Sequence, residues 1–322
     1  MPSVPNKGSG PSAPRKGLPL ALAAYVCWGF LPLYIALLSH VPAFELVGWR
    51  IIFTLPLCLA IVALRRQGAD LKAALANRRV MLLLAASALL IASNWVIYVA
   101  AINAGHIYAS SLGYYINPLL NVLLGTVFLG ERLSRLQWSA VALATAGVTI
   151  LLFGATDTLG ISLALAVTFA LYGLVRKLTP VGSVPGLTIE SGLLLPLALA
   201  TTAWFAAGPA LSSFGHDPRT SVLLIGAGVA TAVPLLLFAV AARRMDYSTL
   251  GFTQFLAPTI VFVLGLTVFG EELRPAQLAC FALIWSAIAL FSWDLLARRS
   301  AALQQAQDKL PAEGRKAETS RV

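Results

Sequence analysis

The sequence is poor in charge, in cysteine and in histidine. Charged residues make up 11% of its 322 residues, against about 25% in soluble domains, so little of the chain can form a water-facing globular surface. The three cysteines, Cys27, Cys58 and Cys280, fall in apolar stretches without metal-site or disulfide spacing, and read as small packing residues. His40, His106 and His216 are scattered among polar connections, and no metal follows from them. No P-loop and no Gly-rich dinucleotide fingerprint occurs, and the connections are too short to hold a nucleotide-binding domain, so no cofactor is expected. A Gly-x-Ser-x-Gly elbow, a His-Glu-x-x-His helix and a clustered acid–histidine set are also missing, which argues against a membrane enzyme.

What is abundant is apolar sequence: 58% of residues are hydrophobic and the mean hydropathy is +0.82. The expectation is an all-α integral membrane protein. Hydropathy places ten spans near 18–38, 44–64, 80–103, 108–129, 136–153, 160–178, 187–207, 220–242, 247–269 and 275–297, each near the ~20 residues needed to cross a ~30 Å hydrocarbon core. Residues 1–16, rich in Pro, Ser, Gly and Lys, read as a disordered leader, and 300–322 as a charged tail. The first apolar segment has no convincing small-residue cleavage site and is read as a membrane helix.

The fourth span recurs. Ser248–Leu278 aligns without a gap onto Tyr108–Trp138, matching Pro118 to Pro258, Gly125 to Gly265, Gly130-Glu131 to Gly270-Glu271 and Gln137 to Gln277. Chance matching between Leu- and Ala-rich helices does not readily supply matched Pro, Gly-Glu and Gln, so an internal repeat is expected. Five spans per repeat is an odd number, so the second copy, 154–299, is inverted relative to the first, 17–153. Secondary transporters built on inverted repeats place the substrate near the bilayer midplane between the copies. Pro118 and Pro258 fall at that depth and are expected to break or gate their helices.

Lysine and arginine set the orientation. With the N-terminus inside, the inner segments carry clusters such as Arg65-Arg66, Arg78-Arg79, Arg176-Lys177 and Arg243-Arg244, while the outer loops carry only Arg219 and Arg274. The asymmetry places both termini in the cytoplasm of a bacterial inner membrane. It also accounts for the net charge of +10 without nucleic acid.

Polar residues at helical spacing mark a candidate substrate site. In span four Ser110, Tyr114, Asn117 and Asn121 share one face; in span three Ser87, Asn94 and Tyr98 do so, with Trp95 beside them. A lined cavity competes here with plain interhelical hydrogen bonding, worth about 0.6 kcal/mol per contact in membranes. Tyr172 in span six, Trp28 in span one and Gln254, the repeat counterpart of Tyr114, complete the substrate-binding candidates. Two intramembrane charges stand out. Arg50 lies about two turns into span two, where an arginine costs up to ~3 kcal/mol, and pairs with a carboxylate, carbonyls or an anionic solute unless it snorkels to the surface. Glu190 reads as the helix-terminal start of span seven, paired with Arg176 or Lys177, and would be the best proton carrier in the chain if buried.

Several of these runs resemble the RarD-type branch of the EamA family, in the drug/metabolite transporter superfamily. They are Asn94-Trp95, Asn103-Ala-Gly-His106, Ser111-Leu-Gly-Tyr-Tyr-Ile-Asn-Pro118, Leu129-Gly-Glu-Arg-Leu133, Leu171-Tyr-Gly-Leu-Val-Arg-Lys177 and Ala241-Ala-Arg-Arg244 followed by Ser248-Thr-Leu-Gly251. The resemblance covers all ten spans and implies a ten-helix inner-membrane permease of five-plus-five inverted repeats. One departure is Gln254-Phe255, where the family often has Gln-Tyr. The expected function is a secondary transporter, an exporter of small metabolites or amphipathic compounds working by alternating access. Its partners would be a small-molecule solute and membrane lipid, with a proton or other ion as a candidate for coupling. A non-transporting membrane sensor or assembly protein is the alternative for the same topology.

Overall fold

The computed structural model describes residues 17–104, 107–153, 159–208, 212–270, 272 and 274–308. The leader, 1–16, and the tail beyond Asp308 lie outside these residues, as do His106 and Glu271. Among the described residues all regular structure is helical. The helices are α1 (Leu18–Ala36), α2 (Ala43–Leu64), α3 (Gly68–Ala76), α4 (Arg78–Asn103), α5 (Ile107–Phe128), α6 (Arg135–Leu152), α7 (Leu159–Leu178), α8 (Ser183–Ala207), α9 (Pro218–Arg244), α10 (Tyr247–Gln254), α11 (Leu256–Thr267) and α12 (Pro275–Asp308). Nine described stretches are long and apolar enough to cross a membrane, and Leu112–Phe128 within α5 is a shorter apolar helix. Large apolar side chains such as Leu64, Phe153, Trp204 and Trp293 are 71–83% exposed. A band of this kind is a liability in water and is what a lipid-facing surface requires.

Three elements depart from the sequence expectation. The segment between the first two basic clusters forms α3, which tucks Leu71 and Ala74 against Val80, Leu84, Val181 and Ile189. It is too short to register in a search for spanning lengths. The span expected at 247–269 is split into α10 and α11, with Phe255 at the join. Pro258 accounts for the split: a proline has no N–H for the carbonyl four residues back, here Gln254, and its ring crowds that oxygen. The chain responds with a tighter turn, Phe255 N donating to Phe252 O at 3.3 Å. Pro118 does not break its helix; α5 runs through it, as α1, α2, α8 and α9 run through Pro32, Pro56, Pro196 and Pro234. The expected pair of broken helices is therefore one broken helix and one continuous one. Around Pro118 the neighbours close in, and a Cβ added to Gly251 of α10 would lie 2.7 Å from the Pro118 carbonyl oxygen.

The helices pack in a regular scheme. α2 lies on α8, α6 on α12 and α5 on α10; α1 packs on α9 and α11, while α7 packs on α4 and α5; α2 also meets α9, as α8 meets α4. Small residues set these approaches, since lipid supplies no hydrophobic drive for helices to associate and close van der Waals packing must do so. Gly147 on α6 lets the Cys280 carbonyl of α12 come within 3.0 Å of where a Cβ would be, and Gly228 on α9 brings the Phe53 backbone of α2 within 2.6 Å of that position.

Two turns also match. Gly130 and Gly270 both adopt left-handed backbone, φ 66° and 65°, a conformation glycine accepts without Cβ strain. After each, a glutamine side chain reaches back to an upstream backbone amide: Ser134 N donates to Gln137 Oε1 at 2.9 Å and Arg274 N to Gln277 Oε1 at 3.2 Å. Asp217 caps α9, and hydrogen bonds from the Thr220 hydroxyl and amide hold its carboxyl below the usual carboxylate range.

Substituting Gly228 by Val is expected to destabilise the bundle by about 1–3 kcal/mol through overpacking against α2. Gly68→Ala, where nothing lies within 4 Å, should be neutral or slightly stabilising. Thermal unfolding of the two purified variants checks the contrast.

Candidate functional site

Two helices that lack long polar runs bring their amides to one place. Asn94 of α4 donates to the Leu165 carbonyl at 2.8 Å and to Thr168 Oγ1 at 2.9 Å, both on α7. Asn117 of α5 donates to the neighbouring Ala166 carbonyl at 2.7 Å. The two polar faces thus converge on the same turn of α7 from either side. Between them is a narrow crevice lined by Asn94, Gly113, Tyr114, Asn117, Leu165 and Phe169, with about 10 Å³ open to the centre of a water molecule, room for roughly one water. Gly113 permits the approach, since a Cβ there would lie 3.0 Å from Leu165 Cβ.

The polar line continues into the second half of the chain. Asn121 donates to Asn117 Oδ1 at 3.2 Å and to Gln254 Oε1 at 2.8 Å. Gln254 is the last residue of α10, next to the break at Phe255. Asn121 is 1% exposed, and its own Oδ1 has no partner among the described residues. A buried acceptor left unmade costs about 1–3 kcal/mol, so this oxygen is an unfilled position within the line.

Aromatic residues flank the crevice. The Tyr98 and Tyr114 rings meet edge-on with centroids 6.3 Å apart, and Tyr114 is 49% exposed. Phe169 packs against Trp28 at 5.6 Å, and Trp28 against Tyr25 and Phe238. Tyr172 joins the same aromatic cluster, stacked on Phe238 at 6.3 Å. It is 1% exposed and lies behind Phe169, away from the crevice lining. Trp95 is placed under Arg50, whose guanidinium carbon is 5.5 Å from the indole centroid.

Glu190 is not at a helix start. α8 begins at Ser183, in a stretch of Ser, Pro, Gly and Thr whose hydropathy is too low to read as a span. Glu190 therefore sits about two turns inside, 2% exposed. It accepts from the Ser87 hydroxyl and lies 3.6 Å from Arg176 Nη1. Arg176, which its place near a helix end would send to the headgroups, is instead 2% exposed, its guanidinium filling the space left by Gly186. Lys177 does not join the pair; it donates to the Ala242 and Met245 carbonyls at 2.8 and 2.6 Å, closing the end of α9.

Glu131 makes a further carboxylate contact between the halves of the chain. Its Oε1 accepts from Tyr247 N at 2.6 Å, and its Oε2 from Ser248 N at 2.8 Å and Ser248 Oγ at 2.7 Å. The N-terminus of α10 is thus capped by a carboxylate 116 residues away in sequence, where helix N–H groups lack partners and the helix dipole favours negative charge. A Gly-Glu pair after an apolar run signals a helix end; which other helix it caps is not in the sequence. Phe169 carries no signal of its own among neighbours of the same apolar type.

The chain matches a family model described as the EamA-like transporter family over residues 15–153. An uncharacterized transporter of Pseudomonas aeruginosa is 45% identical over 280 residues, 87% of this chain and 94% of that protein. Protein RarD of Escherichia coli is 42% identical over 283 residues, 88% of this chain and 95% of its own length. A chloramphenicol-sensitive protein RarD of Pseudomonas aeruginosa is 32% identical over 283 residues, 87% of this chain and 94% of that protein. A solved crystal structure shares the fold at a TM-score of 0.69 and 20% identity, covering 89% of this chain and all of its own.

Glu190→Gln leaves Arg176 buried without a counter-charge and is expected to cost about 3–5 kcal/mol, whereas an apolar double replacement, Arg176→Met with Glu190→Leu, recovers most of the loss. Thermal unfolding of the single and double variants in detergent measures the difference. Equal losses would show that the pair is not coupled.

Proposed function

This chain belongs to the EamA-like transporter family, in its RarD-type branch, and on that premise we propose that it is a secondary exporter of small metabolites or amphipathic compounds working by alternating access. Its transmembrane bundle consists in this reading of ten spans in two inverted five-span halves, 17–153 and 154–299, with both termini in the cytoplasm and the chain in a bacterial inner membrane. The packing scheme supports the repeat: exchanging each span for its counterpart five spans later turns the α1–α9 contact into α7–α4, α2–α9 into α8–α4, and α1–α11 into α7–α5, all of which occur. The paired left-handed glycines and paired glutamine turns support it at residue level.

The observation that carries the functional reading is the amide line Asn117–Asn121–Gln254, which joins the halves through side chains and ends at the break in the second half. Hydrogen bonds between side chains can be exchanged for hydrogen bonds to a solute with little net cost, whereas apolar packing between the halves cannot. With Asn94, Tyr98, Tyr114, Trp95 and Trp28 around it, such a line offers amide and phenol groups to the polar part of a solute and rings to its apolar part. Tyr172 supports the aromatic wall from behind. The α10–α11 break gives the second half a place to bend, and Glu131 supplies a polar contact at one end that a rocking motion would open and close.

The test is solute flux in proteoliposomes, screened over amino acids, other metabolites and amphipathic drugs, comparing wild type with Asn121→Leu. The variant is expected to remain folded and to transport at least about tenfold more slowly, since both hydrogen bonds across the line are removed. Wild-type rates in a folded Asn121→Leu would place the solute path elsewhere.

A further inference from the structure

The two arginines buried among the helices are treated very differently by their surroundings. Arg176 faces Glu190 and is sealed. Arg50 is incompletely buried, and among the described residues no carboxylate lies within ion-pair distance of it. An arginine at the centre of a membrane helix is costly to insert, and one without a carboxylate partner usually escapes by snorkelling to the near surface. Arg50 does not. Glu45, near the start of α2, accepts from Ser212 Oγ and Ser213 N just ahead of α9. Further along, Thr54 of α2 donates to the Gly228 carbonyl of α9, so the two helices run in the same direction. Arg50 precedes Thr54, yet its Nε donates to Thr231 Oγ1 at 2.7 Å, beyond Gly228. The guanidinium is therefore carried deeper into the bundle, away from the end at which α2 begins.

It is also held in one orientation. The Thr231 hydroxyl spends its proton on the Ala227 carbonyl at 2.7 Å and accepts from Arg50 Nε. Trp95 covers one face of the guanidinium at 5.5 Å. The phenols of Tyr98 and Tyr114 lie within electrostatic reach, and Tyr114 also lines the crevice beside Asn94 and Asn117. The Nη edge makes no hydrogen bond among the described residues, the one bond of the guanidinium being that of Nε. A planar fork fixed at Nε, stacked on one face and free along its Nη edge matches a carboxylate, which accepts two parallel N–H bonds in that plane. A phosphate dianion would call for more positive charge than one guanidinium supplies.

Resting on the transport reading above, we infer that Arg50 is the anion-recognition point of the solute site and that the transported compounds carry a carboxylate, with an aromatic or aliphatic body directed to Tyr98, Tyr114 and Phe169. The charge of Arg50 is then balanced by the solute rather than by the protein.

The experiment uses the purified chain in phosphatidylcholine nanodiscs and two isosteric probe pairs, phenylacetate with phenylacetamide and indole-3-acetate with indole-3-acetamide. Binding is read as a rise in unfolding temperature with probe concentration. The acids are expected to stabilise wild type and the amides not. In Arg50→Gln the apparent Kd for the acids should rise by about 30-fold or more, with partial retention in Arg50→Lys. Equal stabilisation by acids and amides, or acid binding that survives Arg50→Gln, overturns the inference and leaves a neutral-solute transporter standing. Stabilisation by neither acid, with a response only when phosphatidylserine is added to the nanodisc, assigns Arg50 to a lipid headgroup and also overturns it. Because the acid–amide comparison is made on wild type, a poorly folding Arg50→Gln does not decide the outcome. Flux in the Asn121→Leu proteoliposomes tests transport separately.

Discussion

In hydrocarbon, a peptide group or charge that finds no partner inside the protein has none at all, and each costs several kcal/mol. Much of the described polar chemistry answers that constraint. The amides of Asn94 and Asn117 and the Tyr247 hydroxyl all donate to α7 carbonyls, at Leu165, Ala166 and Ala170. The hydroxyl of Tyr25 reaches the Leu250 carbonyl at 3.3 Å, and Lys177 covers two carbonyls where α9 ends. These hydrogen bonds run between helices, so satisfying the backbone and fixing the packing are the same act. That satisfaction is incomplete at two places near the crevice: Asn121 Oδ1 is buried and unmatched, and the Arg50 guanidinium makes its one described hydrogen bond through Nε.

The two arginines show how such a constraint separates structure from function. A buried ion pair rarely stabilises more than an apolar replacement of equal volume, because desolvation consumes most of the Coulomb gain. Its effect is to bind its two helices into one register, here α7 and α8 through Arg176 and Glu190, with Ser87 of α4 as the third member. Arg50 fixes no such register; its side chain is oriented by Thr231 and Trp95 yet left unneutralised. Orientation without neutralisation is the arrangement of a binding group, since a ligand then meets a charge whose entropy of ordering is already spent.

How much of this is legible in the sequence follows from what each signal measures. The matched prolines and Gly-Glu pairs point to a repeat, and the turns at Gly130 and Gly270 adopt matching backbone because local sequence dictates turn geometry. The polar stripes on α4 and α5 are legible from helical spacing, although spacing does not say that the amides of both donate to carbonyls of α7. Hydropathy misplaces Glu190 because it reads lipid-facing length, whereas α8 starts in a protected Ser183–Gly186 stretch that is buried against protein. The single break at Phe255 is half legible: proline weakens a helix wherever it falls, but whether the helix parts depends on what packs around it. Tyr172 and Thr231 are of types common in any membrane helix, and only the fold separates a ring behind the crevice from a hydroxyl that steers an arginine.

The Glu131 cap bears on how the proposed cycle could be nearly balanced in energy. Its hydrogen bonds to Tyr247 and Ser248 are charge-assisted, each worth about 1.5–3 kcal/mol where it replaces water poorly. A motion that opened this end without compensation would trap the bundle in one state, since a population shift from 1:99 to 99:1 already needs about 5.5 kcal/mol. An inverted repeat offers the compensation directly, because the residues that part at one end have sequence counterparts at the other: Tyr247-Ser248 align with Ile107-Tyr108, and Gly130-Glu131 with Gly270-Glu271. With the end states close in energy, the differential binding of one solute is enough to bias them. On that logic the amide line should contribute modestly in both states, and the charge of Arg50, which the protein leaves without a carboxylate, is the interaction large enough for a solute to tip the balance.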